Sequence, residues 1–368
     1  MLTPFSPRRV VAAVALAFST LSQAAALQYQ EQDASGLGTA YAGSAAVSEN
    51  ASTNFYNPAG LTRLRGVQVS VGGVGLKTTV ESNQFSGNAG QGLALPNLYF
   101  AAPLTRDLSI GFGISQPFGN QTEYAPGWAG NATTVRTDIS TVNYNPSLAY
   151  RVSDKIALGF GLNYQKLDAE LTRAAGTLTG SDNALGWNAG ALITLSPAMR
   201  LGLAYRSGVN YKLNGNLNGD LKLPGTFTLS VWQQVSDNWE AMGDLSFTQW
   251  NRFEQGSLYA NFSSASDYKT SWRLAWGAAY RNNDSLKTKF GFAWDRAATR
   301  NGDVNLRVPE YDRLWLSVGA QWMTGNTSKV DLGYAYKLSR EVNANPAQFG
   351  GQIETGAHVL GVQYSAGF

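Results

Sequence analysis

The strongest constraint on this chain is a period-two alternation that begins at Val67 and runs to the last residue. Leu158, Phe160, Leu162 and Tyr164 interleave with Gly159, Gly161, Asn163 and Gln165. Phe290, Phe292 and Trp294 interleave with Gly291, Ala293 and Asp295, and Val330, Leu332, Tyr334 and Tyr336 with Asp331, Gly333, Ala335 and Lys337. Successive side chains on a strand point to opposite faces, so each stretch has one apolar face. A soluble sandwich would carry many charges on the other face. Here that face is largely Gly, Ala, Ser and Asn, and only 14% of all residues are charged. Strands that turn their apolar face outward into a membrane fit this pattern better.

Fourteen such stretches can be counted: 67–80, 95–103, 108–117, 137–152, 155–172, 184–195, 199–215, 224–235, 238–252, 268–281, 286–296, 310–323, 329–342 and 356–368. Tight turns such as Thr105-Arg106-Asp107, Ser153-Asp154 and Asn282-Asn283-Asp284 alternate with longer loops near 81–94, 118–136, 173–183, 216–223, 253–267, 297–309 and 343–355. Short turns on one side and long loops on the other are the rule for outer-membrane barrels, and an even strand number returns both ends to the periplasmic side. The expected fold is all-β, a 14-stranded antiparallel transmembrane β-barrel. Tyr99, Tyr144, Tyr150, Tyr164, Tyr205, Trp187, Trp239 and Trp272 fall near strand ends on the expected outward face, as interfacial girdles require. The last strand closes on Phe368, in phase with Leu360, Val362 and Tyr364.

Residues 1–24 read as a secretory signal. Arg8 and Arg9 precede an apolar run from Val10 to Leu21, too short to span a bilayer as a helix. Small residues allow cleavage after Ala24 or Ala26. The absence of cysteine rules out disulfides and thiolate metal sites, and a single histidine, His358, argues against a histidine metal centre or a Ser/His hydrolase. The formal charge of +3 falls to +1 without Arg8 and Arg9, which is no footprint for nucleic acid.

Residues 25–65 do not alternate. Gly36, Gly38, Gly43 and Gly60 allow tight backbone, and Asn57-Pro58 has the form of a helix start, with Asn as cap and Pro at the first helical position. Leu37, Tyr41, Phe55, Tyr56, Leu61 and Leu64 offer apolar surface to something outside the segment. Fourteen strands lined by small residues enclose a lumen too wide for wall side chains to fill, since about eight strands already reach that limit. The expected organisation is therefore a signal (1–24), an N-terminal plug or hatch of short helices and loops (25–65) and a barrel (66–368).

The glycine-rich start, the triplet Asn57-Pro58-Ala59 and the ordered blocks Asn97-Leu98-Tyr99-Phe100, Arg136-Thr137-Asp138, Gly186-Trp187-Asn188-Ala189-Gly190, Ala204-Tyr205-Arg206-Ser207 and Asp312-Arg313-Leu314-Trp315 resemble the outer-membrane long-chain fatty acid transporter family of FadL/TodX type. The likeness covers nearly the whole mature chain and favours cleavage after Ala24. It implies a barrel plugged by its N-terminal segment that passes hydrophobic molecules through the outer membrane of a Gram-negative bacterium. Gly36, Gly38, Phe55, Asn57, Pro58 and Ala59 are then candidate plug and gating residues. Lys269 and Arg273, read as inward on the tenth strand, suit a carboxylate head group unless Glu240, Asp244 or plug acids satisfy them; Arg173 is a weaker candidate. The family's third strand is kinked and opens the wall. Pro117 and Gly119 would serve here, with Pro146 as a rival.

The expected partners are fatty acids or hydrocarbons, outer-membrane lipids and lipopolysaccharide, and the outer-membrane assembly machinery. A monomer without cofactor or metal is expected. The competing readings are a water-filled diffusion porin for polar solutes and an outer-membrane hydrolase. A charged open lumen would favour the first, and a facing Ser/His pair the second.

Overall fold

The computed structural model describes residues 27–368 apart from 84–86, 126, 129, 133, 253–268, 299–311, 340 and 344–350. The signal region lies outside the described residues. Fourteen antiparallel strands close into a barrel. In chain order they are β1 (Gln68–Ser82), β2 (Gly92–Pro103), β3 (Leu108–Ser115 and Gly119–Glu123), β4 (Arg136–Arg151) and β5 (Ile156–Arg173). Next come β6 (Gly176–Ser196), β7 (Met199–Arg206 and Val209–Gly215), β8 (Gly219–Leu223 and Thr226–Gln234) and β9 (Trp239–Thr248). The ring ends with β10 (Ser271–Arg281), β11 (Leu286–Arg296), β12 (Arg313–Met323), β13 (Ser328–Ser339, with Val342–Asn343) and β14 (Gln352–Gly367). β1 and β14 seal the ring in a continuous register from Gln68↔Gly367 to Ser82↔Ile353. Closure leaves no free edge along the seam, which a bilayer demands.

The faces follow the alternation. On β5, Leu158, Phe160, Leu162 and Tyr164 are exposed, while Asn163 and Gln165 are buried inside. Leu162 at 53% and Leu360 at 66% exposure belong to a wall of apolar side chains that only lipid can cover. Tyr99 departs from expectation. It faces inward and is fully buried, because the outward positions of β2 are Ala94, Pro96, Leu98 and Phe100. Its hydroxyl donates to Gln32 O (2.8 Å).

Two of the expected loops are strand. β5 and β6 continue as a hairpin to Arg173↔Gly176, and Gly219–Leu223 pairs with Val209–Leu213. The alternation persists there with its polarity reversed. Lys166 and Asp168 are exposed outside, whereas Leu167, Ala169, Leu171, Tyr211, Leu213 and Leu221 meet inside with Phe118 and Leu27. The two predicted loops failed because a strand that leaves the membrane for water must exchange its polar and apolar faces. The strand starting at Gln352 likewise precedes the expected start at 356.

The two zones should respond oppositely to charge. Phe160→Arg, on the lipid face, is expected to cost about 2–4 kcal/mol in reversible unfolding in lipid. Asp168→Arg, outside on the same strand above Tyr164, is expected to stay within about 0.5 kcal/mol. Equal costs would show that both positions see the same solvent.

Candidate functional site

The segment from Leu27 to Leu64 is mostly buried and has little regular structure: a 3₁₀ turn at Leu37–Thr39, one helical turn at Thr53–Tyr56 and a 3₁₀ turn at Pro58–Arg63. Asn57 begins the last turn as its sequence predicts. Its backbone is extended, Pro58 follows at the first position, and Asn57 Oδ1 accepts from Ala59 N (3.1 Å). The same side chain does more than cap. Asn57 Nδ2 donates to Ala45 O within the segment (2.7 Å) and to Ala191 O on β6 (3.0 Å). Ala40, Tyr41 and Ser48 have left-handed φ values of 48°, 58° and 51°. For a tyrosine this conformation is strained, and it persists only where surroundings fix it. Tyr41 is fixed by its hydroxyl, which donates to Asp33 O (2.7 Å), and by an edge-on contact with Trp315.

Strands around the ring hold this irregular chain by three devices. Cations on the wall donate to its carbonyls: Arg151 to Thr62 O (2.6 Å), Arg200 to Ala46 O (3.1 Å), Arg206 to Phe55 O (2.8 Å), Arg273 to Ala40 O (2.6 Å), Lys289 to Ser35 O (2.9 Å) and Lys329 to Glu49 O (3.1 Å). Acceptors on the wall take its amides, as Asp244 does from Gly43 N (2.7 Å) and Ser230 from Ala45 N (3.0 Å). The third device is absence of a side chain. A Cβ on Gly159 would strike Ala59, one on Gly190 would strike Asn57, one on Gly202 would strike Ala45, and one on Gly291 would strike Thr39. Gly38 lies against the backbone of Gly319, so neither can carry a side chain without displacement. Gly36 sits under Tyr41 and donates its N–H to Asp33 Oδ1 (2.9 Å). Phe55 is half-buried beneath the Arg206 guanidinium, 4.0 Å from its ring centre.

Two acids of the segment titrate in opposite senses. Burial pushes the Asp33 carboxyl up, against hydrogen bonds from Ser52 and Gly36. Burial would also raise Glu49, but Lys287 (2.9 Å) and Lys329 (3.9 Å) outweigh it and hold that carboxyl well below the usual range.

The candidate ligand residues separate. Arg273 is inward and buried, but it forms an ion pair with Asp295 on β11 and lies over Trp315, in addition to its bond to Ala40. The partner is Asp295 rather than Glu240 or Asp244, because cross-strand register sets Arg273 directly opposite it. Lys269 precedes β10 instead of lying on it, and its N–H donates to Ala298 O. Arg173 ends β5 at the external hairpin. These three do not converge. Lys337 was not singled out by the sequence. It pairs with buried Glu31 and stands 4.0 Å from the Trp315 ring centre.

Pro117 and Gly119 do fall at a break. β3 stops at Ser115 and resumes at Gly119, with one extra residue relative to β4: Ser115 faces Asn143, and Gly119 faces Ser140. This is a β-bulge, and Pro117, which has no N–H to give, lies in it. The N-terminal segment supplies partners there. Gly119 N donates to Leu27 O (2.8 Å), Tyr29 N to Pro117 O (2.9 Å) and Gln116 N to Gln32 Oε1 (3.0 Å). Gly119 is required because a Cβ would meet the Tyr29 ring and Ile139 O, both at 2.8 Å. Pro146 leaves the wall intact. Pairing resumes in the same register on both sides of it, and Asn145 Nδ2 donates to Leu162 O (2.7 Å), the carbonyl opposite.

Beside the bulge β2 and β3 lack a continuous ladder. β2 and β3 pair only from Leu98↔Ile114 to Pro103↔Ser109. They rejoin at Gly90↔Thr122, where Glu123 N also donates to Ala89 O (2.9 Å). Between these points no ladder joins 91–97 to 115–121 among the described residues. Immediately inside lies a cavity of about 80 Å³ lined by Tyr29, Leu76, Val80, Leu93, Arg313 and Lys337, among others.

A closed barrel with a lipid-facing apolar wall and an occupied lumen is the architecture of an outer-membrane transport protein. A family model described as outer membrane protein transport protein (OMPP1/FadL/TodX) matches residues 15–368, and the chain belongs to that family. It is 30% identical to outer membrane protein P1 of Haemophilus influenzae, covering 88% of each chain. It is 26% identical to the long-chain fatty acid transport protein of Escherichia coli strain K12, covering 100% of this chain and 99% of the relative. A solved Pseudomonas aeruginosa FadL homologue shares the fold with a TM-score of 0.83 at 18% identity, covering 94% of this chain and 100% of that one. The Pseudomonas putida toluene transporter TodX does so with a TM-score of 0.69 at 16% identity, over 91% and 98%. The protein is thus a transport channel of the outer membrane and not an enzyme.

Asn57→Ala removes three hydrogen bonds at once. It is expected to loosen the segment by about 0.5–2 kcal/mol or more, while heat-modifiable folding of the barrel is retained. Faster hydrogen exchange confined to residues 43–62 would confirm this, and unchanged exchange would refute it. Acid should act through Glu49. Its carboxyl is held low, so its contribution is complete above the ordinary glutamate value near 4.5 and is lost as pH falls below it. Asp33 has the opposite sign, since its contribution falls as pH rises above its ordinary value near 3.8. Acid-induced protease sensitivity of the segment should therefore vanish in Glu49→Gln.

Proposed function

We propose that this protein takes up long-chain fatty acids or other hydrophobic compounds passively, and that they leave sideways into the bilayer between β2 and β3. The observation carrying this reading is the unpaired edge of those strands, which opens directly onto the cavity lined by Leu76, Val80 and Leu93. A chain that went on into water would expose its methylenes again, at about 0.8 kcal/mol each, and sliding into lipid avoids that cost. The names of the Escherichia coli and Pseudomonas putida relatives agree with a hydrophobic cargo.

Residues 25–65 act as the plug in this reading, with Gly36, Gly38, Phe55 and the Asn57-Pro58-Ala59 turn setting its shape. Leu27 and Tyr29 lie along the bulge and close the opening from within. The head group is read by Lys337 and Arg313, the cations in the cavity wall, in place of Lys269, Arg273 and Arg173. Lys337 already holds the carboxylate of Glu31, so a fatty acid offers it a like partner. A water-filled porin is disfavoured by how completely the wall contacts the segment.

Leu93→Trp fills the cavity behind the opening. It is expected to cut uptake of a fatty acid and of an alkane alike by about tenfold or more, because the indole occupies the cavity that both must cross; tenfold is about 1.4 kcal/mol. Folding should be retained, as judged by heat-modifiable mobility. Normal uptake by the folded variant would place the route elsewhere.

A further inference from the structure

The outer wall beside the opening carries a cation without a counter-ion. Lys77 is exposed on the lipid-facing side of β1, on the same face as Val71, Gly73 and Gly75, and among the described residues it has no hydrogen bond or ion pair. Its register neighbour on β14 is His358, also exposed. His358 is held in place by the Tyr334 hydroxyl on Nδ1 (2.8 Å) and by the Tyr336 ring at 4.8 Å. Its neighbour on the other side is Gly92 of β2, which has no side chain. Gly92 begins the stretch of β2 that borders the opening. Strands lie about 4.8 Å apart, so the lysine stem reaches across Gly92 to the mouth. Below Lys77 the outer surface between it and the mouth is smooth, with Gly75 paired to Ala94 and Gly73 to Pro96.

The height also fits a head group. Leu360 and Val362 lie below His358 on the apolar band, and the carboxylates of Glu81 and Glu354 face each other above it. A charge on the outer wall is tolerated near the interface and is costly at the midplane. We propose that Lys77, with His358 beside it, forms an exit site that receives the carboxylate of a fatty acid as it slides out between β2 and β3. This rests on the sideways exit proposed above. A single carboxylate suits the place better than the phosphate monoester of lipid A, because Glu81 and Glu354 repel the more highly charged group. The acyl chain then lies along the strip Gly73, Gly75, Ala94 and Pro96 and enters the bilayer tail-first, while its head group stays at the interface.

The test uses the full chain in cells where it is the sole channel of its kind. Initial uptake is measured for a long-chain fatty acid, its alcohol and the corresponding alkane. Lys77→Met is expected to slow the acid by about two- to fivefold, the scale of one exposed charge contact, and to leave the alcohol and alkane unchanged. Lys77→Arg should restore the acid. Equal slowing of all three, or none, overturns the exit site. Leu93→Trp separates the two readings: if it blocks uptake while Lys77→Met has no effect, only the exit site falls; if uptake survives Leu93→Trp, the sideways route falls with it. A photoreactive fatty acid in nanodiscs of neutral phospholipid should label the peptides bearing Lys77 and His358, and should still do so with lipid A present. Loss of that label on adding lipid A would assign the site to a lipid phosphate and overturn the proposal.

Discussion

Everything in the lumen depends on finding donors for the carbonyls of an irregular chain. The barrel satisfies its own backbone by pairing strand with strand, but Leu27–Leu64 has only three short stretches of regular helix, and the carbonyls that its own turns leave over need partners from outside. Arginine and lysine on the inner wall make up the deficit, each aimed at a named carbonyl. Several of these cations are themselves braced, as Arg200 is against Trp232 and Arg273 against Trp315 and Asp295. A basic lumen here is therefore first a scaffold for the segment. Cations on inward strand positions cannot be assumed to face cargo.

The break in β3 belongs to the same arrangement. An extra residue takes Gln116–Phe118 out of the ladder: Gln116 bonds to the Gln32 side chain, Pro117 O accepts from Tyr29 N, Gly119 N donates to Leu27 O, and Phe118 bonds to the Thr141 hydroxyl of β4. The unpaired stretch of β3 and the segment beside it thus share one set of hydrogen bonds. The segment's first residues cannot move without breaking those bonds or carrying Gln116 to Gly119 with them.

Much of this was legible in the sequence, for identifiable reasons. The alternation found all fourteen strands within the membrane, though not their extensions beyond it, because lipid on one side and small residues on the other leave little ambiguity of face. Asn57-Pro58 announced its turn because capping is local chemistry. Partners that depend on register were not legible. Nothing near Arg273 in the chain points to Asp295, which is its neighbour only once β10 and β11 are aligned. Lys337 was invisible for the same reason, because its partner Glu31 lies at the far end of the chain. Tyr99 and the strands beyond the membrane misled because an aromatic at a strand end, or an apolar residue on the wrong face, has the opposite meaning once the surrounding solvent changes.

The glycine seats on the wall bear on compliance. Where side chains meet, an interface can yield by small rotamer changes, and displacement is graded. Where backbone meets backbone, as at Gly38 against Gly319 or Thr39 against Gly291, there is almost nothing to bend. Close-packed contacts of this kind tend to have discrete arrangements and not a continuum. The inner segment is then a stiff body in a rigid mould, and the parts able to move by degrees are those that no wall glycine meets backbone to backbone, chiefly the stretch from Leu27 to Gln32, where Gly119 meets only the Tyr29 side chain.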